Sequence, residues 1–253
     1  MTARIAATVL VSLVALNFAP ASAEPLPVAI EILGRGPVVV FESGLGKGRD
    51  DWREVAKGLA PCLYDRPGIG SSPAPPNPAV PVLAAAVADD LLARLRDRGL
   101  PGPYLLVGHS LGGLYVQAFA HNHPGAVAGV ALVDASSPLE PAGVFVSTVP
   151  PTPGSVEAAE EAGVAPSVAA LLAGPPFPPV PLVVLAATNH GDTPMREALW
   201  RDVQTRTAAL SPKGKLIIVE SGHFIQTEQP DGVIAAVLSL AADTGADTSA
   251  CRK

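Results

Sequence analysis

The feature that most constrains the fold is residues 104–113, where an apolar strand runs straight into a glycine turn and then a helix. Tyr104-Leu105-Leu106-Val107 shows no polar alternation, so it suits a strand buried on both faces, and Gly108-His109-Ser110-Leu111-Gly112 follows with no intervening loop. A strand buried on both faces needs helices on both sides of its sheet, which is the arrangement of parallel sheets. Residues 127–133 form a second, almost unbroken apolar run, and residues 38–41, 60–64, 182–186 and 216–219 read as further strands. Helical segments fall between them: Leu83, Val87, Leu91 and Leu95 recur at helical spacing, and 111–121, 195–210 and 231–242 read likewise. The alternation predicts one α/β domain with a mainly parallel central sheet flanked by helices. Residues 136–180 interrupt it with a Pro-, Ala- and Gly-rich insertion carrying two short helices, near 155–162 and 167–173.

Residues 1–23 stand apart from the domain. Arg4, an apolar stretch over 5–18 and the small-x-small triplet Ala21-Ser22-Ala23 have the order of a cleaved secretory leader, leaving a domain over 24–253. The expected location is therefore exported, periplasmic or secreted. No other apolar run approaches membrane length, so no stable membrane span is expected once the leader is removed. A net charge of −6 without any Lys/Arg block excludes nucleic acid as an expected partner. In an oxidising compartment Cys62 and Cys251 can form a disulfide; a buried Cys62 with a free tail Cys251 is the other reading.

Ser110 is the candidate nucleophile, because a sharp strand-to-helix turn exposes a side chain above the sheet at a helix N-terminus. Serine needs a base to take its proton. Of five histidines, His109 lies inside the turn with its side chain expected to point elsewhere, and His121 and His123 close a helix. His223, in Glu220-Ser221-Gly222-His223-Phe224, follows the last strand, where open α/β sheets place their sites, and is preferred over the loop residue His190. The chain order Ser…Asp…His admits Asp134 or Asp192 as the orienting carboxylate. Asp134 directly ends a strand and is favoured because its backbone is fixed, whereas Asp192 lies several residues beyond its strand. The backbone N–H groups of Leu111 and Leu45 are the candidates for an oxyanion hole, the latter in the glycine-rich loop Ser43-Gly44-Leu45-Gly46. No Cys/His/carboxylate set has metal-ligand spacing, so no cofactor and no metal is implied.

With those residues in hand, the chain resembles the α/β-hydrolase superfamily over about 28–242. The matching pieces are Glu42-Ser43-Gly44-Leu45-Gly46 in place of the usual His-Gly-x-Gly, Tyr64-Asp65-Arg66-Pro67-Gly68-Ile69-Gly70-Ser71, Gly108-His109-Ser110-Leu111-Gly112-Gly113, Leu132-Val133-Asp134 and Ser221-Gly222-His223-Phe224. Two departures stand out. Glu42 replaces a histidine and alters the local charge. The strand ending near Ala186 lacks an acid at the spacing where many members carry theirs, and members with that gap often use the carboxylate after the preceding strand, here Asp134. The resemblance implies that 136–180 forms a small cap over the site.

A serine nucleophile argues against dehalogenase or epoxide hydrolase chemistry, which resembles this fold but needs an aspartyl ester. The resemblance implies a carboxylic ester hydrolase acting on a small-molecule ester through Ser110, His223 and Asp134, and the leader adds export. Amidase or aminopeptidase-like, lactonase and perhydrolase-type activities use the same residues, and a non-catalytic binding protein that kept the pocket is the reading from a different class.

Overall fold

The computed structural model describes residues 30–32, 38–59, 62–74, 81–145 and 149–245. The leader segment 1–23 and Cys251 lie outside them, and so therefore do the cleavage expectation and the disulfide pairing. Cys62 itself is buried, and burial pushes its thiol up to about 11.

Among the described residues, seven strands form one sheet: β1 (Ile30–Ile32), β2 (Val39–Glu42), β3 (Cys62–Tyr64), β4 (Tyr104–His109), β5 (Val127–Val133), β6 (Leu182–Ala187) and β7 (Gly214–Val219). Their order is β1-β3-β2-β4-β5-β6-β7, with β1 antiparallel to β3 and every other pairing parallel. The helices are α1 (Arg53–Ala56), α2 (Ala84–Asp97), α3 (Leu111–Asn122), α4 (Val156–Ala173), α5 (Pro194–Ala208), α6 (Ile225–Glu228) and α7 (Pro230–Asp243). None of them is long and apolar enough to cross a membrane.

The central strands β2, β4, β5 and β6 are buried on both faces, and the strand period of two divides their residues between two cores. Val40, Leu106, Leu132 and Val184 pack with α2 and α3, including Leu91, Leu95, Leu114 and Phe119. Their sequence neighbours Val39, Phe41, Leu105, Val107, Ala131, Val133 and Leu185 pack on the other side with Trp52, Val55, Val233, Val237 and Leu240 of the α1 and α7 region. This is why the apolar runs do not alternate.

The register fixes where chemistry can occur. Glu42 pairs with Gly108, His109 with Val133, and Val133 with Leu185, so β2, β4 and β5 end within a residue of one another and β6 runs two residues further. The residues that follow, Ser43, Ser110 and Asp134, therefore emerge along one edge of the sheet.

The insertion between β5 and β6 differs from expectation. A single helix, α4, replaces the two short ones, and it runs through Pro166. Proline removes one intrahelical donor and normally ends a helix. The helix is continuous through it nonetheless and is tied to the segment before α2: Ser155 caps its start, Val82 N–H donates to Ala159 O (2.8 Å), and the Ser167 hydroxyl donates to Gly163 O (2.6 Å) while accepting from Ala84 N–H.

A buried ionic cluster joins α4 to the loop after β2. Arg66 donates to Glu42 Oε1 (2.5 Å), Glu160 Oε1 (2.7 Å), Ser43 O and Gly44 O, while Gly46 N–H donates to Glu160 Oε2 (2.9 Å). Tyr64 hydroxyl bonds the other oxygen of Glu42. Arg66 thus meets from behind the charge that Glu42 brings to the loop, sharing itself with Glu160, while burial raises the Glu42 pKa above its ordinary value. Removing one member of a buried pair costs more than the pair contributes, because the remaining charge keeps its desolvation penalty. Arg66→Met, which leaves Glu42 and Glu160 facing each other, is expected to destabilise the fold by about 3–5 kcal/mol in urea denaturation.

Candidate active site

Ser110 occupies the turn between β4 and α3 with φ 51° and ψ −125°. Asp134, after β5, has φ 42°, and these two are the positive-φ residues other than glycine among the described residues. Such backbone is strained by about 1–3 kcal/mol per residue and is kept where the surroundings over-determine it. The turn is possible because two flanking positions have no side chain. A Cβ on Gly108 would lie 2.6 Å from Gly112 O, and one on Gly112 would lie 2.3 Å from Glu42 O. Strand, turn and helix therefore approach more closely than any other residue allows. Leu111 begins α3, so its N–H belongs to the first turn, whose donors have no partner within the helix.

His223 lies in the loop between β7 and α6, and Glu228 of α6 holds that loop by accepting from Gly222 N–H (2.8 Å) and the Ser221 hydroxyl (3.1 Å). Nδ1 of His223 is 2.6 Å from Asp134 Oδ2. Asp134 is fully buried, and its other oxygen accepts from Ala187 N–H (3.0 Å) and Trp200 Nε1–H (2.7 Å). Burial opposes charge on this carboxyl, but hydrogen bonds from His190 and His223 outweigh it and hold Asp134 below the usual carboxylate range. An ionised carboxylate only accepts, so the histidine nitrogens facing it donate.

Asp192, the alternative acid, is placed differently: it is ion-paired with Arg196 of α5 at the surface of the same cavity. His190, the loop histidine less preferred than His223 as the base, meets the acid instead. Its Nε2 lies 2.8 Å from the same Asp134 oxygen that His223 uses. Its Nδ1 lies 2.7 Å from Glu197 Oε2 of α5. It occupies the loop after β6 where the sequence lacks the commonly placed acid, which is the one signal that could have singled it out. One carboxylate oxygen of Asp134 and one ring nitrogen each of His190 and His223 lie within 4.8 Å of one another. The nitrogens of both rings there meet one carboxylate oxygen, as a hydrogen-bonded cluster requires.

His109 also departs from expectation. Its ring does not point away but packs 4.6 Å from the His223 ring and 5.4 Å from Phe224, and its Nε2 lies 2.9 Å from His223 O. Burial lowers its pKa to about 3, so the ring is neutral and Nε2–H donates to that carbonyl. His109 thus anchors the backbone of His223. His123, by contrast, bonds Asp89 at the surface.

Ser110, His223, His109, Leu45 and Leu111 line one cavity of about 870 Å³. Its wall comes from α3 (Leu114), α4 (Val164, Val168, Leu172) and the α5 side (Phe145, Trp200), so it is largely apolar. Glu140 lines it too, accepting from Ser137 N–H (2.7 Å), and burial pushes its carboxyl up to about 7. The folded state therefore keeps a proton that the unfolded chain releases near an ordinary pKa of about 4.3. Stability from this group is complete below that pH and is lost as pH rises through about 7. Glu140→Gln keeps an acceptor without the charge. It is expected to raise the melting temperature relative to the parent at pH 8 and to leave it nearly unchanged at pH 4.5, as thermal melts across that range would read.

A family model described as alpha/beta hydrolase fold matches residues 37–160. Among curated relatives, a pimeloyl-[acyl-carrier protein] methyl ester esterase of Chromobacterium violaceum is 43% identical over 113 residues, which is 43% of this chain and 41% of that protein. An uncharacterized protein of Schizosaccharomyces pombe is 40% identical over 88 residues, 34% of this chain and 16% of the relative. The chain thus spans less than half the length of these relatives. Among solved structures, a thermophilic esterase from Thermogutta terrifontis superposes with TM-score 0.63 at 20% identity, covering 88% of this chain and 96% of that one. The enol-lactonase from Burkholderia xenovorans gives TM-score 0.63 at 19% identity, covering 88% and 99%. At these identities the likeness is one of fold.

Proposed function

On the premise of its α/β-hydrolase fold, we propose that the chain is an exported serine hydrolase that cleaves carboxylic esters through an acyl-enzyme on Ser110. The observation that carries the reading is the convergence on one cavity of a serine on strained backbone and a histidine bonded to a buried, ionised carboxylate.

The chemistry follows from the parts. Ser110 Oγ attacks the ester carbonyl carbon while His223 Nε2 takes its proton, and Asp134 accepts the His223 Nδ1–H and stabilises the imidazolium. Charge on the tetrahedral oxygen is met by the N–H groups of Leu111 and Leu45, both of which line the cavity. Collapse expels the alcohol, which leaves with the proton from His223. Water, activated by His223 in turn, then releases the acid and restores Ser110. The apolar wall favours esters with an apolar acyl or alcohol group. The leader-like residues 1–23 support export, and residues 136–180, which contain α4, serve as the cap over the substrate.

The test is labelling of folded protein with an active-site fluorophosphonate, followed by a panel of esters, lactones and amides. Modification of Ser110 with ester turnover is the expected result. A folded protein in which the probe leaves Ser110 untouched would overturn the reading in favour of a binding protein.

A further inference from the structure

Resting on the serine-hydrolase reading, we propose that His190 is a positioning residue of this site, an imidazolium wedged between Asp134 and Glu197 that fixes the carboxylate on which His223 depends. Both ring nitrogens of His190 face carboxylate oxygens, Nε2 at 2.8 Å from Asp134 and Nδ1 at 2.7 Å from Glu197. A neutral imidazole has one donor and one acceptor, whereas a carboxylate accepts only. The cation alone satisfies both contacts. Its pKa is accordingly raised to about 9, first by the hydrogen bond to Asp134.

The ring is itself held. Glu197 Oε1 accepts from the backbone N–H of His190 (2.7 Å), so one side chain fixes both the ring and the main chain of the residue. Trp200, three residues further along α5, lies 5.5 Å from the His190 ring and donates to Asp134 Oδ1. One helix therefore presents a carboxylate and an indole that together lock His190 and Asp134.

The charged and titratable groups around His190 are Asp134 after β5, Glu140 in the following loop, Asp192 in its own loop, Glu197 and Arg196 on α5, and His223 after β7. Arg196 is committed to Asp192. His190 and His223 share Asp134 Oδ2, and their ring centroids are 6.1 Å apart. A resident positive charge on His190 opposes a second one on the same carboxylate. It thereby weakens the stabilisation Asp134 gives to the transient imidazolium of His223.

The experiment compares the parent with His190→Gln, which keeps hydrogen bonding and removes the charge, and His190→Lys, which returns a charge. In His190→Gln the acid limb of the kcat/KM profile is expected to move up by about half to one pH unit, a like charge at this distance being partly cancelled by Glu197. His190→Lys is expected to move it back towards the parent. An unchanged limb in His190→Gln, or identical profiles in both variants with only a lowered melting temperature, would reduce His190 to a structural residue and overturn the proposal. An NMR titration of the histidine rings in the parent protein needs no turnover. A charged His190 persisting through neutral pH supports the proposal, and one losing its proton near 6.5 sinks it, even if the variants do not fold. Failure of the hydrolase reading is separate, since it would appear as an unlabelled Ser110 whatever the titration shows.

Discussion

Ser110→Ala is expected to lower kcat for a short-chain p-nitrophenyl ester by about 10³-fold or more while leaving the fold intact. The substitution removes the only atom that forms the acyl bond, so the oxyanion donors and the apolar wall can bind the ester but cannot cleave it through the enzyme. What activity survives belongs to water attacking a substrate already oriented by Leu45 and Leu111. Alanine carries the same Cβ as serine, so the strain at φ 51° is neither relieved nor increased. Melting temperature should accordingly stay within a few degrees, and unchanged KM with collapsed kcat would separate the loss of the nucleophile from loss of the pocket. Retention of turnover within tenfold of the parent would place the chemistry elsewhere in the cavity.

The second large effect is at Asp134. Asp134→Asn is expected to reduce kcat by on the order of 10⁴-fold, whereas Asp192→Asn is expected to change it by less than about threefold. An amide in place of Asp134 presents an N–H₂ to one of its neighbours, and every neighbour there is a donor: His190, His223, Ala187 N–H and Trp200. Whichever oxygen becomes nitrogen, a buried donor faces a donor. If that oxygen is Oδ2, His223 is pushed into the tautomer that cannot accept the serine proton. Asp192 touches none of these groups and serves Arg196 and the start of α5 instead. A greater loss in Asp192→Asn would transfer the orienting role to it.

Much of this arrangement is legible in the chain because it depends on local sequence. The apolar runs of β4 and β5, the glycines at 108 and 112, and the order of Ser110, Asp134 and His223 are local signals whose physical meaning does not depend on distant partners. What escapes is what only packing creates. The insertion reads as two short helices, yet one helix, α4, runs through Pro166 and is fastened to the segment before α2 by Val82 N–H and the Ser167 hydroxyl. His109 reads as turned away because it neighbours Ser110 in sequence, yet the turn carries its ring against His223. His190 is an ordinary loop histidine until α5 brings Glu197 and Trp200 beside it. Glu42 reads as a change in site charge, but Arg66, twenty-four positions later, offsets it from inside the core.

The way α4 is fastened has a consequence for how this protein can diversify. One stripe of the helix, Glu160, Gly163 and Ser167, does the fastening: Glu160 grips Arg66 and Gly46, a Cβ on Gly163 would lie 1.8 Å from Val82 O, and Ser167 bonds Ala84. The adjacent stripe, Glu161, Val164, Ala165, Val168 and Leu172, faces the cavity. Mutations on the second stripe alter the shape offered to a ligand without loosening the first. A lineage, or a directed-evolution library, can therefore explore new ligand preferences along that stripe at little cost in folding, while the neighbouring positions tolerate almost no exchange.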